Sequence, residues 1–193
     1  MTKTRLEAFS DGVIAIIITI MVLELKVPHG VSWNELEKLW PVFISYIVSF
    51  VSLGIYWVNH HHLIHTTKEI SGGIMWANLH LLFWLSLVPF ATGWMGENNF
   101  SRNTVVLYTL LASICGVAYF ILLTVIKKCN PGNEELKAVL HKQSRKGLLS
   151  NIFNFMAFGG AFIHTAVSGV FIFLVAIMWF IPDRNIEEAV KMN

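Results

Sequence analysis

Hydrophobic positions gather into long unbroken runs separated by short polar segments. A helix needs about 20 apolar residues to cross a bilayer core of roughly 30 Å. Four runs meet that length, at about Ala8–Leu25, Leu39–Leu63, Ile74–Met95 and Val105–Ile126. A further stretch, Gly147–Ile181, holds 35 residues without Asp, Glu, Lys or Arg. It is too long for one span and suits two short ones, about Leu148–Ile163 and Ala166–Ile181, with a turn near His164–Ser168. The pattern predicts an all-α integral membrane protein with six transmembrane helices in one domain over residues 1–193. The polar segment Asn133–His141 predicts a separate short helix capped by Asn133.

Composition agrees with that reading. Apolar residues make up 55% and charged residues 13%, where soluble domains carry about 25% charged residues. The net charge of +2 is too small to point to nucleic acid. The two cysteines, Cys115 and Cys129, give neither a disulfide framework nor a zinc pattern. The start of the chain does not read as a cleavable signal, because its apolar run is too long and no small-residue cleavage site closes it.

The distribution of charge predicts orientation. On six spans, eleven of the fourteen basic residues fall on one side: Lys3, Arg5, Lys68, Lys127, Lys128, Lys137, Lys142, Arg145, Lys146, Arg184 and Lys191. Lys26, Lys38 and Arg102 fall on the other. The positive-inside rule then places both termini in the cytoplasm.

The first span carries Arg5, Ser10 and Asp11, which a membrane helix usually excludes unless they have a role. On a helical wheel Arg5, Phe9, Gly12, Ile16, Thr19 and Leu23 share one stripe, with Ile20 at its edge. The alternating spacing of four and three is a heptad-like seam. Such a seam either packs on another helix or meets copies of itself around a symmetry axis. In the second case Ile16, Ile20 and Leu23 ring an apolar constriction of the kind that gates ions by dewetting. Thr19 is then the one hydroxyl on that face, and Glu24 is a carboxylate at the outer mouth or simply a solvated helix-end charge.

Arg5 and Asp11 need partners, since a buried ion left unpaired costs several kcal/mol, and few polar candidates exist inside the other spans. His60 in span 2 and Asn78 in span 3 reach the same side, so a polar cluster of Ser10, Asp11, His60 and Asn78 is expected. His61 and His65 have the i, i+4 spacing of a zinc pair, but no HExxH and no nearby cysteine accompany them, so no metal is expected. No nucleophile–base order, phosphate loop or paired intramembrane carboxylates point to an enzyme.

Arg5-x-x-x-Phe9-Ser10-Asp11 resembles the motif RxxxFSD that opens the first span in the transmembrane protein 175 family, potassium channels whose animal members sit in lysosomes and endosomes. YWVNHH, with Trp57 and His60, resembles that family's Trp-x-x-His pattern. ANLHLLFWLSLVPF, with Asn78 and Pro89, resembles its third span, and Ile181–Arg184 (IPDR) the close of its sixth. The resemblance covers essentially the whole chain. It implies six helices with cytoplasmic termini, a homotetramer for single-repeat prokaryotic members, and a pore lined by the first span without a TVGYG filter. It implies a constriction at Ile16, further apolar pore positions at Ile20 and Leu23, and potassium selectivity tied to Thr19. Arg5, Phe9, Ser10, Asp11, His60 and Asn78 are implied to form a polar network that holds the helices.

The resulting expectation is a potassium-permeable cation channel of the cell membrane, conducting passively. Its partners are potassium ions, the lipid bilayer and copies of itself, without cofactor or nucleic acid. Two rivals remain: a secondary transporter or proton pathway routed through Asp11 and His60, and a non-conducting scaffold. The second half shows no repeat of the first, which weighs against an inverted-repeat transporter.

Overall fold

The structure, a computed structural model, describes residues 2–67, 69–129 and 134–180. Lys68, the expected cap Asn133 and the Ile181–Arg184 run lie outside the described residues. The described chain is all-α. Its helices are α1 Lys3–Ile20, α2 Trp33–Glu37, α3 Trp40–His65, α4 Gly72–Ser86, α5 Val88–Glu97, α6 Arg102–Cys129, α7 Glu134–Gly160 and α8 Thr165–Phe180. A 3-10 turn, Met21–Glu24, continues α1.

Four stretches are long and apolar enough to cross a membrane: Lys3–Glu24, Trp40–His65, Gly72–Glu97 and Arg102–Cys129. They coincide with the four clear apolar runs and extend them by a few residues. Thr165–Phe180 is apolar but shorter.

Three features depart from the sequence pattern. The third run is two helices, with α4 ending at Ser86 and α5 beginning at Val88. Pro89 sits in the first turn of α5, where its missing N–H costs nothing, while its ring disfavours a continuous helix through the residue before it. The expected short helix at Asn133–His141 and the expected fifth span at Leu148–Ile163 are one helix, α7. Lys142, Gln143, Arg145, Lys146 and Leu148 all favour helix, so a change from polar to apolar surface is not a helix end. The last turn is also displaced. It occupies Ala161–His164, and the His164 ring caps α8 by accepting from the Ala166 N–H at 3.1 Å. Ser168, expected in the turn, lies inside α8 and donates to the Ala157 carbonyl of α7 at 2.7 Å.

The core lies where α1, α3, α4, α5 and α6 meet, and Leu53, Leu63, Ile64, Leu81, Leu85, Leu122, Leu123 and Ile126 are fully buried there. Lipid is as apolar as leucine, so helices in a membrane associate through close packing and interhelical hydrogen bonds. Both are present. A Cβ on Gly96 of α5 would come within 2.8 Å of the Val42 Cα, so glycine lets α5 lie against the backbone of α3. Nearby, Thr92 of α5 donates to the Ser49 hydroxyl of α3 at 2.7 Å, and Ser49 meets the Tyr108 hydroxyl of α6 at 3.0 Å.

Candidate functional site

The first helix has two unlike faces. Leu6, Ser10, Ile14, Ile17 and Met21 are buried against α3, α4 and α5. The stripe of Arg5, Phe9, Gly12, Ile16, Thr19 and Leu23 is exposed along its whole length, with Ile20 beside it. Ile16 is 58% and Leu23 73% exposed. A purely lipid-facing stripe has no use for a cation, a glycine and a hydroxyl at the same angular position. The Thr19 hydroxyl lies 3.0 Å from the Ala15 carbonyl and 2.9 Å from that of Ile16. Its proton is thus held by its own helix, which leaves the oxygen lone pairs as outward acceptors.

The buried face is tied down by three of the expected residues. The Asn78 Nδ2 donates to the Ser10 hydroxyl at 2.9 Å, and Ser10 donates in turn to the Leu6 carbonyl at 2.9 Å. The Asn78 Oδ1 lies 2.6 Å from His60 Nε2. Ser10, His60 and Asn78 are all buried, so one chain of hydrogen bonds joins α1, α4 and α3. Asn78 supplies one donor and one acceptor to it, as an amide can.

Asp11 takes a different partner from the expected cluster. It accepts from the Trp57 indole N–H at 2.9 Å, one turn from His60 on α3. Arg5 and Phe9 are exposed, and Arg5 has no hydrogen-bond or ion-pair partner among the described residues. Glu7, which the pattern did not single out, has its Oε1 3.5 Å from His65 Nδ1. The Lys3 ammonium donates to the His65 carbonyl at 2.6 Å. The His61 and His65 rings stack with centroids 6.0 Å apart. Among the described residues no three His, Cys, Asp or Glu side chains gather as a metal would require.

At the other end, Glu24 leans back onto α5: a Cβ on Gly93 would come within 2.5 Å of its Oε2. Next to it Lys26 pairs with Glu97. This pair holds the Lys26 ammonium above its ordinary value, so its small contribution is present below the ordinary lysine range and is lost only in strong alkali. The Lys26–Glu97 pair thus links the segment after α1 to the end of α5.

A family model described as endosomal/lysosomal potassium channel TMEM175 matches residues 5–89, the segment from Arg5 to Pro89. A potassium channel of Chryseobacterium sp. (strain P1-3) is 50% identical over 193 residues, covering 100% of both chains. A potassium channel of Streptomyces collinus is 36% identical over 123 residues, 60% of each chain. Among solved structures, the crystal structure of a lysosomal potassium-selective channel TMEM175 homolog from Chamaesiphon minutus superposes with a TM-score of 0.83. It is 27% identical, with 92% of this chain and 95% of that one covered. By full-length identity, matching family model and shared three-dimensional structure, the chain belongs to the TMEM175 family of ion channels.

Proposed function

We propose that the chain is a potassium-permeable cation channel in which the α1 stripes of four identical chains face one another and line the ion path. One observation carries the pore assignment. α1 buries Ser10, Ile14, Ile17 and Met21 within its own protomer and leaves unpartnered a stripe that mixes Arg5, Gly12 and Thr19 with Ile16 and Leu23. Rings of Ile16, Ile20 and Leu23 then make a dry barrier that an ion crosses when the path widens or wets. A ring of Thr19 oxygens, each with its proton turned back to the helix, offers acceptors to a partly dehydrated cation. Glu24 adds negative potential at the outer mouth. The hydrogen bonds from Ser10 through Asn78 to His60, and from Trp57 to Asp11, fix the angle at which α1 presents its stripe.

The apolar half of α7 and helix α8 serve as the fifth and sixth spans, and the excess of basic residues places both termini in the cytoplasm of the cell membrane. Conduction is passive. The protein is a channel and not an enzyme, and it needs no cofactor.

The test is flux from purified protein in liposomes loaded with potassium or sodium. Wild type should release potassium faster than sodium, and Thr19→Val should narrow that ratio roughly threefold or more, equivalent to about 0.7 kcal/mol of discrimination. Absence of flux from folded wild-type protein for both ions contradicts the channel reading. A preference untouched by Thr19→Val contradicts the role of Thr19.

A further inference from the structure

The end of α3 opposite His65 carries an open aromatic groove. Trp33, Leu36 and Glu37 of α2 and Trp40 and Phe43 of α3 line it, and its volume is about 590 Å³. That lies within the roughly 300–1,000 Å³ of sites that take small organic ligands. Trp33 is 82% and Trp40 63% exposed. Only Lys38 and Leu39 separate the two helices, and both keep right-handed helical dihedrals. The helical register therefore runs through the junction, and steps of three and four residues put the lining on one face. The same face continues along α3 as Ile44, Ile47 and Val51, which are all exposed.

Charge and depth decide the guest. Glu35 pairs with Lys38 at 2.6 Å, whereas Glu37 has no hydrogen-bond or ion-pair partner among the described residues. A free carboxylate beside two indoles suits an ammonium group, which gains both an ion pair and cation–π attraction there. No Lys, Arg or His lines the groove, so an anionic headgroup gains nothing. Trp40 opens a helix long and apolar enough to cross a membrane. The groove thus sits at the level of lipid headgroups, where tryptophan is enriched. A cation site at that level, above an apolar strip, matches an amphiphile rather than a soluble cation. We infer that this face binds a phospholipid with an ammonium headgroup. Its ammonium rests on Glu37 and the indoles of Trp33 and Trp40, and its acyl chain runs along Ile44, Ile47 and Val51. The site uses no α1 residue and does not depend on how ions cross the membrane.

The probe is phosphatidylethanolamine with a photoreactive diazirine in its acyl chain, and phosphatidylglycerol with the same chain is the anionic control. Each is added in trace amounts to purified protein in phosphatidylglycerol nanodiscs. After irradiation, cross-links are mapped by mass spectrometry onto residues 33–51. Wild type should be labelled there about fivefold more by the ethanolamine lipid, as an exposed ion pair with a cation–π contact provides. Glu37→Gln should bring that ratio to about one, and Trp33→Leu should lower it. Both side chains are exposed, so neither change threatens the fold. Soluble ethanolamine in large excess should leave the labelling unchanged. Equal labelling of wild type by the two lipids overturns the inference, as does a preference that survives Glu37→Gln. Labelling by neither lipid overturns it too, since a neighbouring copy then covers the face. Loss of labelling to soluble ethanolamine would mean that the groove takes a free ammonium compound and not a lipid.

Discussion

Asn78 is the residue through which the buried face of α1 is connected to the bundle, because its single amide serves Ser10 and His60 at once. Asn78→Leu keeps the volume, leaves the buried His60 Nε2 unpaired and takes from Ser10 the donor it accepts from. It is expected to destabilise the protein by about 2 kcal/mol or more, given a cost of roughly 1–3 kcal/mol for each buried group left unpaired. Asp11→Asn is expected to cost less than about 1 kcal/mol, since an amide oxygen still accepts from Trp57. Thermal unfolding of the two variants in detergent checks the ranking, and equal melting points contradict it. Ser10, His60 and Asn78 were legible in the sequence because each is a polar residue inside an apolar run with no reason to face lipid. The partner of Asp11 was not, because Trp57 enters the pattern only beside His60 and nothing in its spacing marks its indole as a donor to a residue 46 positions away. The contact joining Thr92, Ser49 and Tyr108 was also hidden. Serine and threonine inside membrane helices usually bond to their own backbone, so nothing in their spacing announces a contact across three helices.

At the scale of elements, the spacing of α3 and α5 is set by Gly96. Gly96→Ala places a methyl group against the Val42 backbone, which cannot rotate away. A loss of about 1–3 kcal/mol is expected, the usual cost of overpacking. Gly169→Ala in α8 is the control, since a Cβ there meets nothing within 4 Å and alanine favours helix. Equal stability of the two variants in a melting experiment contradicts close packing at Gly96. The four longest spans were readable from length and apolarity alone. The division of the third span is marked by Pro89 alone, since the apolar run continues through it. The unity of α7 was hidden for the opposite reason, since charge and hydropathy change near Gly147 while helix propensity does not.

At the scale of the molecule, orientation has its own probe. Cys129 is exposed at the end of α6 beside Lys127 and Lys128, whereas Cys115 is buried. A membrane-impermeant maleimide is expected to label Cys129 from the cytoplasmic side alone in vesicles of known orientation, and labelling from the outside alone contradicts the topology. A stripe facing a symmetry axis and a stripe facing lipid are both unpartnered in one protomer, so composition distinguishes the two. What separates them is the mixture of Arg5, Gly12 and Thr19 with Ile16 and Leu23. The decisive experiment is therefore potassium flux through Ile16→Asn compared with wild type, in liposomes carrying equal amounts of folded protein. A polar ring in place of the isoleucine ring should wet the constriction and raise flux about tenfold, a barrier change of roughly 1.4 kcal/mol. Flux identical to wild type would mean that ions do not pass the Ile16 stripe, and that α1 is not the helix that lines the path.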